Sequence, residues 1–337
     1  MFQQYIARLV EGEDLSEQEA QEAMSIIMSG GATDAQIAGF LVALRMKGET
    51  VPEIVGCARA MRAAATPINV GDLDVVDTCG TGGTRKGTFN VSTAAALIAA
   101  GAGVPIAKHG NRAASGHWGS ADVLEALGVN LSAEPDVIER CIREAGIGFL
   151  FAPALHKAMK HAVGPRRELA VRTVFNILGP LTNPAGARRQ LLGVFSQALV
   201  EPMAAVLKGL GAVRAMVVHS RDGMDEVSLC DETFLAEVRD GRVETRWMAP
   251  EDVGLRRVGR QELTVASVQE SAAAVRAVLN GEKGPRRDMA LLNAAAAIHV
   301  GGKARDLGTS LQAAADSVDS GRARRALESL AALSRGG

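Results

Sequence analysis

Leu73-Asp-Val-Val-Asp77-Thr-Cys-Gly80-Thr-Gly-Gly83-Thr-Arg-Lys-Gly87-Thr88, with the residues just after it, decides the fold. Leu73–Val76 is a short β-type run feeding a glycine loop at Cys79–Gly83. A helix follows from Ser92 to Ala100, and Val104–Ala107 reads as the next strand, with Pro105 at a strand start or near an edge. Strand, glycine loop, helix and strand in succession form a βαβ unit, so parallel strands and an α/β fold are expected. Working outward, helix-then-strand patterns recur at 121–131, 135–152 and 199–219. Asp240-Gly241 between FLAEVR and RVETRW marks a hairpin. The tail from 268 is helical, with Ser267, Ser271 and Ser310 as candidate caps, and a second helical excursion spans about 154–185.

Upstream the pattern is helical only. Phe2, Tyr5, Ile6, Leu9 and Val10 form one apolar stripe, and Ser16–Glu19, Thr33–Gln36 and Thr50–Glu53 are capping-box starts, with stops at Gly30-Gly31 and Gly48. The expected organisation is a small all-helical domain, 1–70, on which the 154–185 excursion packs, and a larger α/β domain, 71–337. The latter has a central, mostly parallel sheet flanked by helices. So small a helical module exposes apolar surface, so docking or dimerisation through it is expected.

Composition narrows the function. The chain has 337 residues, 47% hydrophobic and 22% charged, which fits an ordinary globular protein and excludes disorder. Aromatics are only 3%, too few for a base-stacking platform, and 37 basic against 38 acidic residues leave no cationic excess, so no nucleic-acid partner is expected. Cys57, Cys79, Cys141 and Cys230 are scattered and read as reduced thiols. The start, MFQQYIARLVEGEDL, lacks a signal-peptide pattern, and no apolar run reaches the ~20 residues of a membrane span. A cytoplasmic protein with no membrane contact is expected.

Four segments could carry chemistry. The glycine loop can bring backbone N–H groups to a phosphate, or can be a flexible surface turn; it matches neither Walker A nor GxGxxG. Asn90-Val-Ser-Thr93 can be a simple helix cap, or can grip a pyrophosphate or its metal. Lys108-His-Gly-Asn-Arg112 ends the second strand, where open α/β sheets bind ligands; the alternative is a basic solvated turn. Asp225-Glu226 follows the strand Ala215–His219 and suits Mg²⁺, although acidic loops are often only solvated surface. Arg166-Arg167 offers a guanidinium fork for a carboxylate, or two exposed helix cations. His156 and His161 lack the Glu and the spacing of a HExxH zinc site, and no GxSxG elbow is present.

Together these segments, with Gly119-Ser120-Ala-Asp-Val-Leu-Glu-Ala-Leu-Gly128 and Phe175-Asn-Ile-Leu-Gly-Pro-Leu-Thr-Asn-Pro-Ala185, resemble the anthranilate phosphoribosyltransferase family over almost the whole chain. The resemblance implies transfer of a phosphoribosyl group from phosphoribosyl pyrophosphate (PRPP) to anthranilate in tryptophan synthesis, with Mg²⁺, by a homodimer formed through the helical part. It places PRPP on Gly80, Gly83, Thr84, Thr88, Asn90, Val91, Ser92, Thr93, Lys108 and Ser120. Mg²⁺ falls to Ser92, Asp225 and Glu226, and anthranilate to Asn111 and Arg166. Lys108, Arg166 and, as a proton acceptor, His109 carry the catalytic expectation.

Pyrophosphate leaves ribose C1 with oxocarbenium character, so neutralising the departing charge is the main task, and the neutral aromatic amine needs aiming more than deprotonation. Two departures from the family pattern stand out: Thr84-Arg85 in place of Asp-Gly, and Trp118 in place of a small residue. The rival readings are a pyrimidine nucleoside phosphorylase, in which Asp225-Glu226 would have no task, and a non-catalytic nucleic-acid binder, which should be basic.

Overall fold

The computed structural model describes residues 2–82, 87–113 and 118–336. Four helices come first: α1 (Phe2–Val10), α2 (Glu17–Met28), α3 (Asp34–Lys47) and α4 (Val51–Ala63). The last three start where expected. Ser16 Oγ accepts the Glu19 N–H while Glu19 accepts the Ser16 N–H, Thr33 and Gln36 do the same, and Glu53 accepts the Thr50 N–H.

The βαβ unit is β1 (Val76–Gly80), α5 (Val91–Gly101) and β2 (Ile106–Gly110). Both strands begin later than their apolar runs suggest, and Pro105 immediately precedes β2. Asp77, Thr78, Lys108 and His109 therefore lie inside strands, where their polar atoms find partners in one another and in neighbouring backbone. The chain continues through α6 (Ser120–Ala126), α7 (Pro135–Glu144), β3 (Ile147–Phe151), α8 (Ala152–Leu155), α9 (Lys160–Leu169) and α10 (Phe175–Leu178). Next come β4 (Arg189–Gly193), α11 (Val200–Gly209), β5 (Arg214–Ser220), β6 (Thr233–Arg239) and β7 (Arg242–Met248). The last helices are α12 (Val268–Leu279), α13 (Pro285–Val300), α14 (Leu307–Asp319) and α15 (Arg322–Leu333).

The sheet order is β3-β2-β1-β4-β5-β6-β7; β3 to β5 are parallel, and β6 and β7 are antiparallel. The β6–β7 hairpin turns on Asp240 (φ 50°) and Gly241 (φ 72°), the two positive angles a tight I′ turn requires.

Three details differ from the sequence reading. The 121–131 stretch supplies α6 but no strand; Val129 and Leu131 enter the core from a loop. The cap of α14 is Asp306, which accepts the Thr309 N–H, so Ser310 lies inside that helix. Ser271 lies inside α12, where its hydroxyl accepts the Asn90 N–H.

Helices cover both faces of the sheet. One core gathers α5 and α12–α15; the other runs from α1–α4 through α11 to Val217 and Ala236 of the sheet. A helix buried on all sides must be apolar all round. That describes α5, buried from Thr93 to Ala100, and α13, buried from Met289 to Val300, and their alanines let the two pack closely. With so few aromatic residues, small side chains and close approach supply the packing density.

At the N-terminal end of β5, Arg214, Glu237 and His299 form a buried network: Arg214 donates to Glu237 (2.8 Å), and His299 Nε2 lies 3.1 Å from the same carboxylate. Burial alone would raise the Glu237 pKa, but hydrogen bonds from His299 and Arg214 and their charges bring it down to about 2. A depressed carboxylate stabilises the fold above its unfolded pKa and loses that contribution as pH falls toward its folded one. Glu237→Gln should therefore lower unfolding free energy by about 3 kcal/mol near neutrality. In urea titrations the gap to wild type should hold down to about pH 5 and close between 4.5 and 2.

Candidate functional site

Strand order reverses between β1 and β4, and ligands of open α/β sheets bind beyond the carboxyl ends of strands at such a point. A narrow cleft lies there, lined by Thr78, Cys79, Ser92, Gly193, Asp225 and Glu226, with Asn293 of α13 also in its wall. A wider groove of about 800 Å³ between α1 and α2 is walled by amides and by Glu22, which already accepts from the Tyr5 hydroxyl. Volume does not locate the site; the strand ends do.

Two glycines lie close against Asp225 in this cleft, and at Gly193 nothing larger fits. A Cβ on Gly193 would fall 1.7 Å from the Asp225 carbonyl oxygen, and one on Gly80 would fall 2.9 Å from its Oδ2. The Asp225 turn therefore rests directly on the ends of β1 and β4.

Lys108 is 1% exposed; its Nζ donates to the Thr78 carbonyl and lies 3.3 Å from Ser92 Oγ. Burial lowers its pKa, against the pull of Asp77, Cys79 and Glu226. Glu226 lines the cleft, and burial, reinforced by Asp225 and Asp222, pushes its carboxyl well above the usual range.

Behind the cleft, Asp77 is fully buried. Its Oδ1 accepts the His109 N–H (3.0 Å), and its Oδ2 accepts from Asn183 Nδ2 (2.8 Å), which also donates to the Ala107 carbonyl. Gln190 donates to the Pro180 carbonyl (2.6 Å). The turn 179–185 is thus fastened across β1, β2 and β4. The His109 ring donates to the Gly179 carbonyl, and its Nε2 lies 3.2 Å from His156 Nε2. Arg166 sits over the Phe175 ring, 5.0 Å from its centroid, with its pKa lowered by burial.

The cleft collects Ser92, Asp225 and Glu226, with Gly80 and Lys108 beside them. Ser120 Oγ stands where a Cβ of Gly110 would be, and Asn111 is exposed at the end of β2. Thr88 pairs with Thr264 at the rim. Val91 is fully buried with its N–H on the Phe89 carbonyl, and Thr93 is fully buried with its N–H on Asn90 Oδ1 and its hydroxyl oxygen without a hydrogen-bond partner among the described residues. Gly83, Thr84 and Arg85 lie outside the described residues. Trp118 packs half-buried against the main core.

His156 was weighed in sequence only as a zinc ligand, yet it pairs with His109. The signal that was available is a histidine just after an apolar strand, Ile147–Phe151. His161 instead packs against Gly30.

Burial, with His156 adding repulsion, lowers the His109 pKa to about 3, and burial lowers that of His156 to about 4. A proton acceptor with a pKa near 3 is a poor base near neutrality, which argues against the expected role of His109. NMR titration of the two imidazoles should show both neutral down to pH 5. Because the unfolded rings take up protons at about 6.5, stability should fall as pH drops through that value and toward 4.

Ser92, Asp225 and Glu226 offer hard oxygens, and among the described residues no group of three or more His, Cys, Asp or Glu could hold a metal alone. That donor set fits a hard divalent ion arriving with oxygen ligands of its own, as Mg²⁺ on a phosphate does.

Residues 72–324 match the glycosyl transferase family a/b domain, and residues 3–65 match the helical bundle domain of that family. The chain is 54% identical to the anthranilate phosphoribosyltransferase of Geotalea uraniireducens, covering 99% of both proteins. It is also 54% identical to that of Symbiobacterium thermophilum, over 96% of this chain and 95% of the relative. Among solved structures, anthranilate phosphoribosyltransferase from Thermus thermophilus superposes with a TM-score of 0.93 at 47% identity, over 98% of this chain and 99% of that one. The Saccharomyces cerevisiae enzyme in complex with PRPP and Mg superposes at 0.91 with 26% identity, over 100% and 98%.

Proposed function

The chain belongs to the anthranilate phosphoribosyltransferase family, and from that membership we propose how its own residues divide the work of the reaction. The reaction transfers the phosphoribosyl group of PRPP to the amine of anthranilate, releasing pyrophosphate, within tryptophan synthesis. The observation that carries the proposal is the meeting of Ser92, Asp225 and Glu226 in one cleft at the strand-order reversal, with the Lys108 ammonium 3.3 Å from the Ser92 hydroxyl.

Pyrophosphate occupies this cleft, with the backbone at Gly80 and the start of α5 at Asn90 and Ser92 along one side. Thr88 and Ser120 approach from the rim. Ser92, Asp225 and Glu226 hold Mg²⁺, which when bound neutralises pyrophosphate charge. Lys108, desolvated beneath the Ser92 hydroxyl, stabilises the charge that grows as the C1–O bond breaks. Arg166, fixed by Phe175, holds the anthranilate carboxylate, with Asn111 beside it, and aims the amine at C1. The new C1–N bond forms from the amine lone pair, and the proton it sheds goes to solvent. His109 and His156, both neutral, orient the acceptor without taking that proton.

We assign residues 1–70 to a helical domain and 71–337 to the PRPP-binding domain. Val10, Met46 and Val163, each more than half exposed on α1, α3 and α9, support a homodimer through the helical part. Four free cysteines fit a cytoplasmic enzyme, and among the described residues no helix is long and apolar enough to cross a membrane.

Purified protein mixed with PRPP should quench anthranilate fluorescence only when Mg²⁺ is present. Arg166→Ala should raise the KM for anthranilate about tenfold or more and change that for PRPP far less. Asp225→Asn with Glu226→Gln should do the reverse and shift the Mg²⁺ dependence. Unchanged kinetics in both variants would refute the residue assignment.

A further inference from the structure

We propose that Asn293 is the positioning residue of the acidic pair, holding the Asp225-Glu226 turn in its cation-binding geometry through the peptide of Val227. The inference rests on the assignment of that pair to Mg²⁺ and PRPP.

Asn293 lies in the middle of α13 and is 3% exposed. Its Oδ1 accepts the Val227 N–H at 3.0 Å, and its Nδ2 donates to the Val227 carbonyl at 2.8 Å and to the Met289 carbonyl at 3.0 Å. Both backbone polar groups of one residue, and so the two peptide units that flank it, are thus gripped by one side chain. The amide orientation is forced, because the reversed one would set its NH₂ against the Val227 N–H and its oxygen against two carbonyls.

Val227 directly follows Glu226 and is itself fully buried. The other side of the turn is held against backbone, since a Cβ on Gly193 would strike the Asp225 carbonyl oxygen, and the Asp225 carboxylate lies close over Gly80. The turn is therefore held between two glycine strand ends and one amide.

A pin is needed because two carboxylates facing one cleft repel each other, and Glu226 has Asp222 nearby as well. Left to relax, the turn would rotate one carboxylate toward water and separate the donors. Without the amide, the Val227 N–H and carbonyl would be buried without partners, which also favours rearrangement. Outer hydrogen bonds that fix ligand orientation typically change metal affinity about 10–100-fold when removed. The Asn293 amide bonds the Val227 backbone and the Met289 carbonyl, so its effect should appear in cation and PRPP binding rather than in acceptor use.

The experiment compares full-length wild type, Asn293→Leu, Asn293→Asp and Glu226→Gln without anthranilate. Bound Mn²⁺ is counted by electron paramagnetic resonance in the presence of PRPP, and amide exchange is followed over residues 220–230. Asn293→Leu keeps the volume and removes every polar contact. It should weaken Mn²⁺ binding about tenfold or more and speed exchange at Val227, leaving the KM for anthranilate within about twofold.

Asn293→Asp keeps the acceptor for the Val227 N–H and, in its protonated form, one donor for the facing carbonyls, so it should fall between wild type and Asn293→Leu; it also covers failure of the leucine variant to fold. In a Glu226→Gln background the leucine substitution should add little. Wild-type Mn²⁺ affinity in Glu226→Gln would overturn the site assignment itself. Weakened binding there with unchanged binding in the Asn293 variants would overturn only the positioning role. An equal rise in the KM for anthranilate and loss of Mn²⁺ affinity would mark Asn293 as a general core residue and also overturn it.

Discussion

A carboxylate with no access to water organises this molecule. Asp77 is the second residue of β1, and burial raises its pKa against the hydrogen bonds that favour its charge. Such a group is tolerated only when its lone pairs are satisfied. Here the partners are the His109 backbone and the Asn183 side chain, from β2 and from the 179–185 turn. One buried anion thus sets the spacing of two strands and fastens the segment that brings Gly179 to the His109 ring. The same strand carries Thr78 and Gly80, which receive Lys108 and abut Asp225. If Asp77 were misplaced, the acceptor side and the pyrophosphate side of the cleft would shift together.

The legible parts of the sequence were those whose causes are local. Capping boxes read correctly because the Ser16–Glu19 and Thr33–Gln36 bonds close within one turn of chain. The hairpin read correctly because Asp240-Gly241 can adopt two positive φ values. β4 passed unseen, since it is five residues long and opens on Arg-Gln, and its strand character comes from lying between β1 and β5. Within Asn90 to Thr93, Ser92 lines the cleft while Asn90 caps α5 by accepting the Thr93 N–H, a division of roles set by helix geometry rather than by residue type. His156 was illegible as a site residue because the tertiary fold closes the 47-residue gap between it and His109.

The electrostatics of the cleft are those of a site set in advance. Lys108 carries its charge against burial and Glu226 resists carrying one, and each influences the other. An anionic substrate with its cation supplies what both lack: a negative partner for the lysine and a positive one for the carboxylates. Such groups need little reorganisation when charge develops, which is the usual source of catalytic advantage in a dry site. The neutral imidazoles behind it fit an acceptor whose amine is uncharged.

The alanine-rich contact between α5 and α13 has a consequence for how this chain can change over generations. Ala94, Ala95, Ala96, Ala99, Ala100 and Ala294–Ala297 are almost entirely buried, and apart from glycine no substitution at these alanines reduces volume. Most replacements enlarge a side chain inside packed protein and push the two helices apart. α5 begins at the Asn90–Ser92 edge of the cleft and α13 carries Asn293 in its wall, so a methyl group added in this remote interface would reach the chemistry as a change in cleft width. Variants that alter substrate use without touching the cleft should arise at these alanines.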